Sequence, residues 1–204
     1  MKINTQNPQI NFNKRLEAKA SVIRDGKPLP CNIYSLDYDE DKLYFKNLSD
    51  DNNWEMGYFP EVADIDFTTP YTPYEFFAIE DNDANCLGYA EVLKKNFFFT
   101  KPEKKLEICL LETCPDFSKN NKFRKTKYIG ETLLSFIVKK AKENNISKIC
   151  VPTFAERAYL FYTKNCNFED MALSPDRLVL QKSNYDSLLQ QNEQHTGHHI
   201  ELEV

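Results

Sequence analysis

The chain has 204 residues and a formal net charge of −5 from 26 basic and 31 acidic side chains, with 41% hydrophobic and 13% aromatic residues. That apolar content suits one globular domain with a sizeable core, and the acidic balance argues against nucleic acid as a partner. Only five glycines occur, Gly26, Gly57, Gly88, Gly130 and Gly197, which excludes the Gly-rich phosphate loops of P-loop and dinucleotide-binding proteins.

Residues 1–19 are polar and Asn-rich and read as a loose or short helical lead-in. Ala18–Arg24 follows as a short strand, closed by the turn Asp25-Gly26-Lys27-Pro28, where Gly26 takes a positive φ without steric penalty. Asn32–Asp37 is a second short strand, and Asp39–Leu48, with acids at its start and apolar Leu43, Tyr44 and Leu48, is a short helix. Asn52–Tyr74 shows no clean period and reads as an irregular, substrate-facing segment. Tyr74–Glu80 and Leu87–Leu93 form a hairpin across the polar run Asp81–Asn85. Lys105–Thr113 places Leu106, Ile108, Leu110 and Glu112 on one face and Glu107, Cys109, Leu111 and Thr113 on the other, the pattern of a central strand covered on both sides.

The clearest helix is Ile129–Asn145, in which Ile129, Leu133, Leu134, Ile137, Val138 and Ala141 form one apolar stripe. Lys139, Lys140, Lys142 and Glu143 face away from it, and Asn144-Asn145 ends it. Ile146–Thr153 is then a buried strand, Ala155–Lys164 an amphipathic helix, Asn165–Phe168 a turn and Asp176–Gln181 a last strand. Ser183–Gln194 is a polar helix before the tail His195–Val204. This alternation predicts an α/β (α+β) fold, a mixed sheet with crossover helices.

Lys119, Lys122, Arg124, Lys125 and Lys127 crowd into the residues just before the long helix. A helix N-terminus offers unpaired amides and a positive dipole end, so this is a candidate anion site; an ordinary solvated charge run is the competing reading. The six cysteines lack CxxC or CxxH spacing and read as small buried thiols, and no metal site is expected. No apolar run reaches the roughly 18 residues of a membrane span and the start lacks a signal-peptide core, so a cytoplasmic location without membrane contact is expected.

The segment Lys125-Thr126-Lys127-Tyr128-Ile129-Gly130-Glu131-Thr132, between a central strand and a long helix, resembles motif A of the GNAT acyl-CoA N-acetyltransferases, commonly written (Q/R)-x-x-G-x-(G/A). Ala155-Glu156-Arg157-Ala158-Tyr159-Leu160-Phe161-Tyr162-Thr163-Lys164, followed by Phe168, is similar to that family's A-x-x-F-Y-x-K helix and the G-F after it. Lys125 stands where Arg or Gln is usual, and Tyr128 and Asn167 where glycines are usual.

The resemblance implies a mixed, mostly antiparallel sheet flanked by helices and splayed at its central strands, with acetyl-CoA as co-substrate in the splay. Residues 74–182 would be the acyl-CoA-binding core, residues 1–73 the acceptor side, and 183–204 a polar helix and tail. The pantetheine arm would pair with main chain at Leu111–Thr113. The pyrophosphate would sit on amides of Lys127, Tyr128, Ile129, Gly130 and Glu131, with lysines such as Lys125 beside it. The reaction would be attack of an amine, on a small molecule or a protein lysine, on the thioester. Tyr162 matches the family's proton-donating tyrosine. Glu112, the acid near the end of the central strand, is the candidate base, and Glu91 on the neighbouring strand the second one. Two other readings stand beside this: a GNAT-like domain without activity that serves as an interaction module, and a toxin-like acyltransferase acting on a macromolecule. A homodimer is compatible with an exposed strand edge and the aromatic run Phe97–Phe99.

Overall fold

The computed structural model describes residues 14–36, 74–95, 104–114, 126–153, 155–172 and 174–203. The expected helix Asp39–Leu48, all of the irregular segment Asn52–Tyr74 but its last residue, the aromatic run Phe97–Phe99 and the basic residues Lys119 to Lys125 lie outside them. Among the described residues, ten strands form one sheet: β1 (Arg15–Arg24), β2 (Lys27–Leu36), β3 (Tyr74–Asp81), β4 (Cys86–Lys95), β5 (Lys105–Thr113), β6 (Thr126–Lys127), β7 (Lys148–Pro152), β8 (Glu169–Met171), β9 (Ser174–Gln181) and β10 (Glu201–Leu202). Their order is β10-β1-β2-β3-β4-β5-β7-β9-β8, with β6 also on β1. Among the described residues only β5 and β7 pair in parallel. The α-helices of the described residues are α1 (Ile129–Glu143), α2 (Glu156–Leu160), which runs into a π turn at Phe161–Asn165, and α3 (Tyr185–Thr196).

Local chemistry accounts for these elements. Asp25 and Gly26 both have positive φ, the geometry of a two-residue hairpin whose twist matches its strands. Pro28 and Pro30 are tolerated in β2 because its pairing with β3 begins only at Cys31. The β3–β4 turn is organised by Asp81, whose carboxylate accepts from the amides of Asp83 and Asn85. At the end of α1, Asn145 is left-handed and the Ile146 amide donates to Ala141 O at 2.8 Å, a Schellman-type closure.

The expected apolar stripe of α1 is fully buried against the sheet, where Phe136 meets Phe77 edge-on. The helix is not free on its other side. α3 packs there, Thr132 Oγ1 donates to Asn192 Oδ1, and Lys139 and Lys140 do not face away: Lys139 donates to Ile200 O, and Lys140 reaches Glu17 at 2.7 Å. Strand β1 begins earlier than the polar lead-in suggested, β8 lies in a stretch to which the sequence assigns no element, and β10 lies in the expected tail. All six cysteines are free thiols. No helix among the described residues is long and apolar enough to cross a membrane.

Strand β5 departs from simple alternation. Glu91 pairs with Leu110 but Val92 pairs with Ile108, so Cys109 is an extra residue in a β-bulge. The bulge reverses the phase of everything after it. Leu111 and Thr113 join Leu106 and Ile108 on the α1 face, and Glu112 lies on the opposite one, which corrects the expected face assignment.

Candidate active site

Parallel β5 and β7 pair only from Lys105 to Glu107, opposite Lys148 to Cys150. Beyond that point β5 stays on β4 as far as Thr113, while β7 follows β9. The two central strands diverge: their ladder ends at Glu107 opposite Cys150. At the base of the splay, Glu107 is ion-paired with Arg177 of β9 at 2.5 Å.

The N-terminus of α1 faces this opening. A Cβ placed on Gly130 would lie 3.6 Å from Thr113 Cγ2, 3.6 Å from Phe161 Cζ and 3.8 Å from Leu111 Cδ2, so Gly130 borders the mouth between β5 and the π turn. The first helical bond runs from the Thr132 amide to Tyr128 O at 2.8 Å, which leaves the amides of Ile129, Gly130 and Glu131 outside the helical ladder. Gly88 fixes the helix start from beneath: a Cβ there would be 2.8 Å from the Glu112 carbonyl oxygen and 3.0 Å from Ile129 Cγ2.

Tyr128, at the motif's glycine position, caps α1 with φ +67°, a left-handed conformation unusual for a bulky residue. Its ring stacks on His195 of α3, and His195 Nδ1–H donates to Glu131 at 2.7 Å. Burial pushes the Glu131 carboxyl up from the ordinary value, and the His195 bond opposes part of that rise. The approach to the helix is held as well: β6 pairs with β1, and Arg24 donates to Thr126 Oγ1 at 2.9 Å while pairing with Asp81.

On the sheet face away from α1, Tyr89 donates its hydroxyl to Glu112 Oε2 at 2.7 Å, directly across the β4–β5 ladder. Burial and the Glu112 charge hold the Tyr89 hydroxyl well above the usual phenol range. Glu91, two residues along β4, shares this face and is 6% exposed; burial raises its carboxyl pKa. Tyr162 is the one buried residue of the π turn, packed between Phe161 and Phe168. Its hydroxyl makes no hydrogen bond among the described residues, and burial raises its pKa.

The expected residues thus fall into two groups. Leu111, Thr113, Ile129, Gly130 and Tyr128 surround the mouth of the splay, with Tyr162 next to Phe161 at its edge. Glu112 and Glu91 lie on the other face of the sheet. Lys127 is in β6, and Lys125 lies outside the described residues. Sequence reasoning missed Arg24 and His195. Tyr128 in place of glycine was the available signal, because a bulky left-handed residue needs a compensating contact.

No protein-family model matches the sequence, and no curated protein does. Solved structures do match. The AtaTR complex bound with acetyl-CoA is 15% identical, covering 78% of this chain and 97% of that chain, with a TM-score of 0.56. A point mutant of the spermidine N-acetyltransferase SpeG from Vibrio cholerae is 14% identical, covering 76% of this chain and 95% of that one, with a TM-score of 0.52. The KacTA–DNA complex also matches, at 16% identity over 76% of this chain and 87% of that chain and a TM-score of 0.49. Against the expectation of no nucleic acid, the KacTA and AtaT–AtaR complexes among the matches were solved with DNA, which corrects that expectation. A net charge of −5 is a sum over the whole chain and does not govern a local surface or a complex. At these identities the likeness concerns architecture: a mostly antiparallel mixed sheet flanked by three helices, which is the fold of the GNAT acetyltransferases.

Proposed function

We propose that the chain is an acetyl-CoA-dependent N-acetyltransferase acting on a primary amine. The observation that carries this reading is the divergence of β5 from β7 directly beneath the N-terminus of α1, with Gly130 at the mouth. The residues present fit acetyl-CoA there. The extended main chain of Leu111 and Thr113, on the part of β5 that has left β7, suits an amide-bearing arm laid alongside as an added strand. The α1 amides at Ile129, Gly130 and Glu131 suit a pyrophosphate, and Gly130 lets it approach the backbone closely. When bound, acetyl-CoA supplies an activated acyl carbon on a thiol leaving group.

In this reading Glu112, held by Tyr89, takes one proton from the acceptor ammonium, directly or through water. The freed amine attacks the acyl carbon, forming a C–N bond as the C–S bond breaks. Its remaining surplus proton ends on the departing sulfur, delivered by Tyr162, which recovers one from the new amide nitrogen. Burial suits Tyr162 to this role because it keeps the hydroxyl protonated.

Isothermal titration with acetyl-CoA tests the reading. Micromolar binding by the wild-type chain, lost in Gly130→Trp, is expected, because an indole would fill the space bounded by Phe161, Thr113 and Leu111. An absence of binding at millimolar acetyl-CoA would overturn it in favour of a GNAT-fold interaction module.

A further inference from the structure

Six carboxylates are buried among the described residues: Glu17, Glu80, Asp81, Glu91, Glu107 and Glu131. Five have a basic partner, namely Glu17 with Lys140 at 2.7 Å, Glu80 with Lys14 at 2.5 Å, Asp81 with Arg24 at 3.1 Å, Glu107 with Arg177 at 2.5 Å and Glu131 with His195 at 2.7 Å. Glu91 is the exception, buried on the middle of the sheet with neither an ion pair nor a hydrogen bond among the described residues. Leaving an ionised carboxylate buried and unpaired is costly, and stable cores avoid it.

Glu91 also has a defined neighbourhood. It lies two residues from Tyr89 on β4 and opposite Leu110 on β5, while Tyr89 lies opposite Glu112. Glu91 and Glu112 are therefore diagonal neighbours on one sheet face, roughly 7–8 Å apart along the ladder, with the Tyr89 hydroxyl bonded to Glu112. Leu110 and Glu112 are half-buried, so this face is partly open beside them.

We infer that Glu91 and Glu112 form the acceptor site for an organic dication, a short alkyl diamine. Glu112 receives the amine that is acetylated, and Glu91 pairs with the second ammonium. As an acceptor site it rests on the acetyl-transfer reading; as a diamine-binding site it does not. The unpaired carboxylate is the specificity determinant: a diamine neutralises it, and a monoamine leaves it buried and alone.

Isothermal titration of the full chain with 1,4-diaminobutane and 1-aminobutane, both without acetyl-CoA, tests the inference. The wild-type chain is expected to bind the diamine at least about tenfold more tightly, the scale of one charge-assisted contact. Glu91→Gln should bring the two ligands level by weakening the diamine alone, and Glu91→Asp, which keeps the charge, should retain a preference. Thermal unfolding of each variant checks that it is folded. Equal binding of the two amines by the wild-type chain, or an undiminished diamine preference in Glu91→Gln, would overturn the inference. Diamine binding by a chain that fails to bind acetyl-CoA would leave this site standing while removing the acetyl-transfer reading. The reverse result would do the opposite.

Discussion

Tyr128 and His195 stack with ring centroids 4.6 Å apart and planes 19° from parallel, joining the left-handed entry of α1 to the last turn of α3. A non-glycine residue held in that conformation stores about 1–3 kcal/mol of strain, so the contact does more than fill space: it offsets a conformation that the amides at the start of α1 depend on. His195→Ala should therefore destabilise the chain, and less so in a Tyr128→Gly background, where both the strain and the stack are gone. A double-mutant cycle by thermal unfolding should give a coupling of about 0.5–1.5 kcal/mol, at roughly 2–4 °C per kcal/mol for a chain of this size. Additive shifts would show that the stack contributes nothing.

Glu91 yields a pH prediction of definite sign. Its folded-state pKa is raised above the ordinary 4.5 by burial, so the native chain holds this proton more tightly than the unfolded chain does. The stability tied to the neutral form is fully present below that ordinary value and is lost as pH rises through the raised one. Glu91→Gln has no such dependence. The difference in Tm, mutant minus wild type, should be close to zero below the ordinary carboxylate range and grow more positive as pH rises above it. A difference that is flat or falls with pH would show that Glu91 is not penalised by its burial.

Gly88 has a steric reason rather than a conformational one. A methyl group there meets the Glu112 carbonyl oxygen at 2.8 Å and Ile129 Cγ2 at 3.0 Å, and the first of these is backbone that cannot swing aside. Gly88→Ala should cost about 1–3 kcal/mol by overpacking, read as a lower urea midpoint with an unchanged slope. A neutral result would mean that β4 and β5 shift apart easily at the splay.

The parts of this fold that repeat with a period were legible in the sequence. The limits of β5 matched because its largely apolar run is bounded by lysines on one side and stopped by Pro115 on the other, and α1 matched because its six stripe residues recur at helical spacing. Features that depend on distant contacts were not legible. His195 is 64 residues from Glu131, so nothing local distinguished it from a tail residue. β10 is two residues long and exists because it meets Ala18 and Lys19. The bulge at Cys109 carries no Gly or Pro to announce it, yet it decides which face Glu112 occupies. Likewise, the alternation that puts Glu91 on a face cannot reveal that the other buried acids have basic partners and it has none among the described residues.

Tyr162 separates chemistry from packing because its hydroxyl has no hydrogen bond among the described residues, while its buried ring contacts Phe161 and Phe168. Removing that hydroxyl should leave stability unchanged or slightly improved, since no partner is orphaned. Tyr162→Phe keeps the ring and therefore the shape of the π turn at the mouth of the splay. If the hydroxyl delivers a proton to the departing sulfur, kcat should fall by about 100-fold or more, as loss of general-acid assistance typically requires. The dissociation constant for acetyl-CoA and the Tm should hardly move. Turnover by thiol release, titration with acetyl-CoA and thermal unfolding on one preparation distinguish the cases: unchanged turnover removes Tyr162 from the reaction, and a loss of binding or stability in parallel assigns it to the architecture of the site.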